Sequence, residues 1–254
     1  MTLSMVSLRA SLLAAGLSFL ASTSSVTAAE LTGDQVPTSA GPVTIHPISH
    51  ATMALGWNGL TIYVDPVGGA EAFAGLPAAD LILVTDIHGD HFNDDTLAAV
   101  TGSTTKIVAP AAVAEKMSPA VRAATTVIAN GATTSLMNVG IEAIPMYNLT
   151  ADRLQYHEKG RGNGYVLSFG NLRFYIAGDT EAVPEMRNLK SIEVAFIPMN
   201  LPYTMTEEQA AEGVLAFKPH IVYPYHYRGS DVDKFKALVN AGSADIEVRS
   251  GKWY

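Results

Sequence analysis

Short apolar runs closed by glycine, proline or polar residues recur from residue 43 onward, and their length and flanks predict strands. Amphipathic stretches between them predict helices. Strands are expected at 43–48 and 60–64, flanking the Trp57-Asn58-Gly59 turn, because an Asn-Gly pair between apolar runs signals a hairpin. Asp65-Pro66 ends the second of them. Helices at 94–100 and 111–117 bracket a strand at 106–109, and further strands are expected at 125–128, 139–144, 165–169 and 172–176, the last two joined by Gly170-Asn171. From there helices at 183–189, 206–217 and 232–239 alternate with strands at 194–198, 221–224 and 245–248. Hairpins first and helices mixed in later predict an α/β chain whose sheets carry helices on their outer faces. No repeat at a solenoid period and no low-complexity segment interrupts this order.

Residues 1–29 differ in kind. Arg9 is their only charge, an apolar run covers 12–20 and small residues fill 22–29, the outline of a secretory signal peptide cleaved after Ala28 or Ala29. The run is too short to span a membrane, so the mature chain is expected to lack an integral membrane segment and to reside in the periplasm or outside the cell. Residues 30–42 read as a mobile lead-in, and 30–254 as one globular domain, since 48% hydrophobic residues and a mean hydropathy of +0.19 supply a sizeable core. Removing the leader takes away Arg9 and no acid, moving the net charge from −8 to −9. Such a surface repels phosphate backbones, which excludes nucleic acid as the expected partner and leaves a small molecule. The chain has no cysteine, hence no disulfide, thiolate ligand or cysteine nucleophile, and a transition-metal site must be built from His, Asp, Glu or Asn.

Candidate chemistry concentrates where strands end. The stretch 81–91, LILVTDIHGDH, runs from a buried strand into Asp86, His88, Asp90 and His91 on one turn, where successive side chains can converge on a cation as a strand would not allow. The apolar run 172–177 ends in Gly178-Asp179-Thr180, and 221–225 ends in His226. Several strands thus deliver one ligand-type side chain each to their C-terminal ends, a common way for a layered α/β protein to build a cleft.

The ordered set Asp65, Asp86-x-His88-x-Asp90-His91, Asp179 in GDT and His226 in YPYHY resembles the metallo-β-lactamase superfamily, and within it the branch of L-ascorbate-6-phosphate lactonase and related metal-dependent hydrolases. The likeness runs from His46 to His226, supported by His50-Ala51-Thr52, Gly162-Asn163-Gly164-Tyr165-Val166 and Met205 to Ala210. It implies an αββα four-layer sandwich with two divalent metal ions, Zn²⁺ or Mn²⁺, in a cleft at one edge. Two positions depart from the pattern: Asp86 stands where HxHxDH has its first His, and Asn148, in PMYN, where another ligand His is common. Carried over, the roles put Asp86, His88 and bridging Asp179 at site one, with Asn148 in question, and Asp90, His91, Asp179 and His226 at site two. A one-metal site is the alternative. Two divalent ions, three carboxylates and a hydroxide sum to zero, which predicts a weaker site one or a harder metal there.

In this reading a metal-bound hydroxide attacks a small ester, lactone, amide or phosphodiester, and the resemblance gives Asp90 the further role of passing a proton to the leaving group. No G-x-S-x-G elbow supports serine chemistry. His157, nine residues after Asn148, reads as a replacement ligand, a substrate contact or an ordinary loop histidine. His50 reads as a group supporting the site or as core, His46 as core, His220 as surface, and Asp65 as a brace of the metal loop. Arg153, Lys159 and Arg161 form a local cationic cluster suited to an anionic substrate, or a solvated lid. Tyr147, Tyr156, Tyr203, Tyr225 and Tyr227 read as an aromatic cleft or as packing. Two classes of function follow: an exported metal-dependent hydrolase, or a metal-binding or sensing protein on the same fold without turnover.

Overall fold

Alternation along each strand sorts the core into three layers. In the computed structural model, which describes Met1 and residues 30–254, the expected leader at 1–29 lies outside the described residues apart from Met1. The first sheet runs in chain order through β1 (Asp34–Val36), β2 (Val43–Ser49), β3 (Thr52–Trp57), β4 (Leu60–Val64), β5 (Leu81–Leu83), β6 (Lys106–Ala109) and β7 (Thr125–Val127). The second runs through β8 (Thr133–Leu136), β9 (Val139–Met146), β10 (Gly162–Phe169), β11 (Leu172–Ile176), β12 (Val194–Pro198), β13 (Ile221–Tyr225) and β14 (Glu247–Val248). Ile62, Val64, Leu81, Leu83 and Val108 from one sheet meet Leu167, Phe174, Phe196 and Tyr223 from the other in a central core. The intervening residues Tyr63, Ile82 and Ile107 face outward onto Leu97, Val113 and Val121 of α1 (Asp94–Val100), α2 (Ala111–Ala114) and α3 (Pro119–Ala123). On the opposite outer face, Ala195, Ile197 and Val222 pack against Met186, Val214 and Phe235 of α4 (Pro184–Arg187), α5 (Glu207–Phe217) and α6 (Val232–Gly242). The period of two therefore produces the expected four-layer αββα sandwich.

Both halves have the same topology. β1 to β4 form an antiparallel meander, and β4 to β7 are parallel with helices in the crossovers. β8 to β11 and β11 to β14 repeat this order. The C-terminal ends of the parallel strands thus gather along one edge, and the site lies there.

Two local expectations are corrected, and three further elements, β3, β8 and α3, were not expected. The lead-in is not loose throughout: Val36 is buried and β1 pairs with β2 in the register Asp34↔Ile45. The Asn58-Gly59 turn, at φ 50° and 79°, joins β3 to β4 and not 43–48 to 60–64. β3 (TMALGW) escaped notice because alanine and glycine lower its strand signal. β8 (TTSL) is polar and lies at a sheet edge, and α3 starts at Pro119, favoured at a first helical position. No helix among the described residues is long and apolar enough to cross a membrane.

Candidate metal centre

Three residues that carry ligand-type or bracing side chains sit at strand ends in the left-handed region: His50 (φ 55°), Asp65 (46°) and His226 (49°). Non-glycine residues persist there only when their surroundings hold them. The amide of His226 donates to the carbonyl of His50 at 3.2 Å, tying the ends of β13 and β2 together. Gly178, before Asp179, also has positive φ, and a Cβ there would lie 2.3 Å from Met146 Sδ, so only glycine lets that turn pack.

Asp65 is fully buried after β4. Its carboxylate accepts from the Thr85 amide (2.7 Å), the Thr85 hydroxyl (2.6 Å) and His91 Nδ1 (2.8 Å). In the neutral ring, the form that can bind a metal, that last bond fixes the His91 tautomer: Nδ1 carries the proton, and Nε2 presents its lone pair to the site. His91 Nε2 lies 3.2 Å from Asp179 Oδ2 and 3.9 Å from Asp90 Oδ1. His226 Nε2 lies 3.2 Å from Asp90 Oδ2 and 3.3 Å from Asp179 Oδ1. Ligand atoms of Asp90, His91, Asp179 and His226 all fall within 4.8 Å of one another. His50 flanks the quartet, its Nε2 3.1 Å from Asp90 Oδ2 and its ring centroid 3.7 Å from that of His226. It is thus a contact of Asp90, not core, while His46 is half-buried with Nδ1 against the Thr32 carbonyl and His220 is exposed beside Glu193.

A second group adjoins the first through Asp179. Ligand atoms of Asp86, His88 and His157 also lie within 4.8 Å of one another, and His157 Nε2 is 3.2 Å from Asp179 Oδ2. His157 is buried, with Nδ1 3.2 Å from the Tyr203 carbonyl, so it can donate there and leave Nε2 free. Asn148 instead braces this loop: its amide nitrogen donates to the carbonyls of Tyr203 (2.7 Å) and Arg153 (3.1 Å), and its backbone N–H to His157 O (2.9 Å). The position nine residues on, not Asn148 itself, brings a ring nitrogen to Asp86.

Several of these atoms have no hydrogen-bond partner although buried: His91 Nε2, His157 Nε2 and Asp179 Oδ1. Orphaned polar atoms of this kind are costly. A cation resolves them together, and the oxygen and imidazole donor set suits a divalent transition metal. The electrostatics agree. Burial would raise the Asp179 carboxyl, but His226 and His91 hold it well below the usual range. Burial would lower His91, yet Asp179 and Asp65 push it well above its ordinary value. Burial opposes the hydrogen bond from His88 and the Arg161 charge at Asp86, which is nonetheless drawn down to about 2. The carboxylates of the pocket are thus held anionic by the histidines and the Arg161 guanidinium around them.

The expected cationic cluster is not formed, because each member is taken by its own carboxylate. Arg153 Nη1 binds Glu181 (2.8 Å), Lys159 Nζ binds Glu185 (2.7 Å), and Arg161 binds Asp86 through Nε to Oδ1 (3.2 Å) and Nη2 to Oδ2 (3.1 Å). Glu181 also accepts from the amides of Leu149 and Thr150, anchoring the loop that carries His157. The cleft above the quartet, about 410 Å³, is lined by Tyr156, Tyr203, Asn200 and Arg228 besides the ligand-type residues. Tyr156 and Tyr203 meet edge to face, with ring centroids 5.0 Å apart. Tyr225 is not a cleft residue; it is fully buried, and its hydroxyl accepts from the Gly178 amide. Tyr147 is buried with its hydroxyl donating to Glu185, and Tyr227 packs on Tyr254. Arg228 was missed in the sequence, although it follows His226 by two; its guanidinium lies over the Tyr254 ring and, among the described residues, makes no ion pair.

Known proteins share this sequence pattern and fold. The beta-lactamase superfamily domain model matches residues 44–226. The UPF0173 metal-dependent hydrolase of Thermococcus onnurineus is 32% identical over 205 residues, covering 75% of this chain and 90% of that one. Its counterpart in Pyrococcus abyssi is 30% identical over 206 residues, with the same coverage. A crystal structure from Parabacteroides distasonis, of a protein named as a metal-dependent hydrolase, superposes with a TM-score of 0.81 at 39% identity, covering 89% of this chain and all (100%) of that one. Igni18, a metallo hydrolase from Ignicoccus hospitalis, shares the fold at 22% identity, with a TM-score of 0.67 over 82% of this chain and 94% of its own. With the strand-end site and these matches together, the chain belongs to the beta-lactamase superfamily, among its UPF0173 metal-dependent hydrolases.

Proposed function

We propose that this protein is an exported hydrolase that cleaves a small ester, lactone, amide or phosphodiester at the Asp90–His91–Asp179–His226 centre. One observation carries the reading: buried and unpartnered His91 Nε2 and Asp179 Oδ1 converge with Asp90 and His226 beneath an open cleft. A divalent ion held there, Zn²⁺ or Mn²⁺, supplies Lewis acidity and brings the pKa of a coordinated water near 7. The chain's own residues do the rest. Burial would raise Asp90, but hydrogen bonds from His226 and His50 keep it well below the usual range, so it stands ionised and can pass a proton on without retaining it. Its side chain is 44% exposed, which lets it hand that proton on to a leaving group in the cleft. Tyr156 and Tyr203 offer aromatic surface to the body of a substrate. Arg228, in place of the Arg153, Lys159 and Arg161 cluster, is the cation available to an anionic end group.

Lactones head the substrate set because the motif order resembles that of L-ascorbate-6-phosphate lactonase. Export rests on the pattern of 1–29 and argues against a phosphorylated cytoplasmic metabolite; mass spectrometry of the secreted or periplasmic protein should find its N-terminus at Ala29 or Glu30. The function is tested with nitrophenyl esters, lactones and bis-nitrophenyl phosphate in the presence of zinc or manganese. Turnover abolished by chelator and by His91→Ala is expected. Metal binding without turnover across the panel would favour a sensing protein on this fold instead.

A further inference from the structure

The two ligand groups share Asp179 but differ in charge. Among the described residues, the basic side chains within 4.0 Å of the Asp90 and Asp179 carboxylates are all histidines, with no Lys or Arg. Asp86 is different: both of its oxygens accept from one guanidinium, Oδ1 from Arg161 Nε and Oδ2 from Nη2, and Oδ2 also faces His88 Nδ1 at 2.7 Å. Arg161 is not a passing surface residue. Its side chain is 18% exposed, its Nη2 also donates to the Tyr156 carbonyl, and its backbone leads directly into β10. The same Nη2 lies 3.5 Å from His88 Nε2, so a permanent positive charge stands against two of the three ligand residues of this half-site.

We propose that Arg161 is a resident cation of the Asp86 half-site: by taking Asp86 as its counter-ion it makes the two half-sites unequal, so that Asp90, His91, Asp179 and His226 hold one divalent ion tightly and Asp86, His88 and His157 hold a second only weakly. The inference rests on the metal centre described above. Its physical basis is that a fixed unit charge repels an incoming divalent ion at contact distance and occupies the lone pairs that ion needs. It also changes the charge count made from the sequence. Asp86 with Arg161 is together neutral, as a histidine would be, so the added carboxylate does not by itself select a harder metal.

Titration of metal-free protein with zinc, read by calorimetry and by equilibrium dialysis, tests this without reference to turnover. Wild type should bind one ion tightly and a second at least tenfold more weakly. Arg161→Gln should tighten the second ion at least tenfold and leave the first within about threefold. Arg161→Met, which keeps the apolar stem, serves the same purpose should the Gln variant fail to fold, and Arg161→Lys, which keeps the charge, should preserve the inequality. Two equal tight ions in wild type, or an unchanged ratio in both neutral variants, would overturn the proposal. An unequal pair of ions in a chain that hydrolyses nothing would keep this inference and sink the hydrolase reading. Two equal ions in an active enzyme would do the reverse, and a chain that binds no zinc would overturn both.

Discussion

Replacing Asp65 by Asn is the most informative perturbation of the proposed centre, because Asp65 sits outside the candidate ligand quartet yet sets the tautomer of one member, His91. In the native chain, its Oδ2 accepts from His91 Nδ1 at 2.8 Å and from the Thr85 hydroxyl at 2.6 Å, while Oδ1 takes the Thr85 amide at 2.7 Å. An asparagine that keeps its oxygen on the Thr85 amide turns its NH₂ toward His91 Nδ1. The ring must then accept at Nδ1 and carry its proton on Nε2, the atom that faces Asp179 at 3.2 Å. A protonated Nε2 is no metal ligand. Loss of a partner of this kind typically weakens metal binding tenfold to a hundredfold, about 1.4–2.7 kcal/mol. The lost charge assistance should cost the fold about 1.5–3 kcal/mol, less than the ~5–15 kcal/mol of a stable domain, so the variant should remain folded. Zinc affinity is read by competition with a chromophoric chelator, with circular dichroism and thermal unfolding alongside. A folded Asp65→Asn chain that binds zinc within threefold of wild type would refute the tautomer reasoning.

Three further outcomes are expected. His226→Ala removes one ligand of the quartet while leaving the β13 hydrogen bonds in place, and elemental analysis should find the tightly held ion lost, with affinity down at least a hundredfold on the order expected for a missing ligand. Arg228→Gln should raise KM at least tenfold for an ester bearing a carboxylate and leave both its kcat and the KM of the matched neutral ester unchanged in steady-state assays. Glu181→Gln breaks the contact with Arg153 at 2.8 Å and weakens two amide contacts at 2.6 and 2.8 Å. It should cost about 2 kcal/mol, seen as a lower Tm and as faster proteolysis between residues 148 and 161.

Much of the fold was legible because its buried strands carry their own period. β4, β6, β11 and β12 are β-branched or aromatic runs closed by turn residues, and their expected bounds coincide with those observed. β3 and β8 were not, since alanine and glycine weaken the one and the other is a short polar edge strand that carries no apolar alternation. At the site, Asp86 to His91, Asp179 and His226 could be found because each ends a recognisable strand. His157 could not be preferred to Asn148 by spacing: both lie in one loop, and only the anchoring of that loop on Glu181 and Tyr203 brings the ring inward. The pairing of Arg161 with Asp86, 75 residues apart in the chain, is likewise a tertiary fact. Nearness in sequence to Arg153 and Lys159 suggested a shared role that the three carboxylates remove.

The most direct test follows hydrolysis as zinc is returned to metal-free protein in steps of a fraction of an equivalent, using the best ester or lactone of the panel. The account predicts no turnover without metal, a rise that is essentially complete at the first equivalent, and no rise in His226→Ala. Turnover that survives complete removal of metal, or a first equivalent that binds at the quartet and brings no turnover, would contradict it.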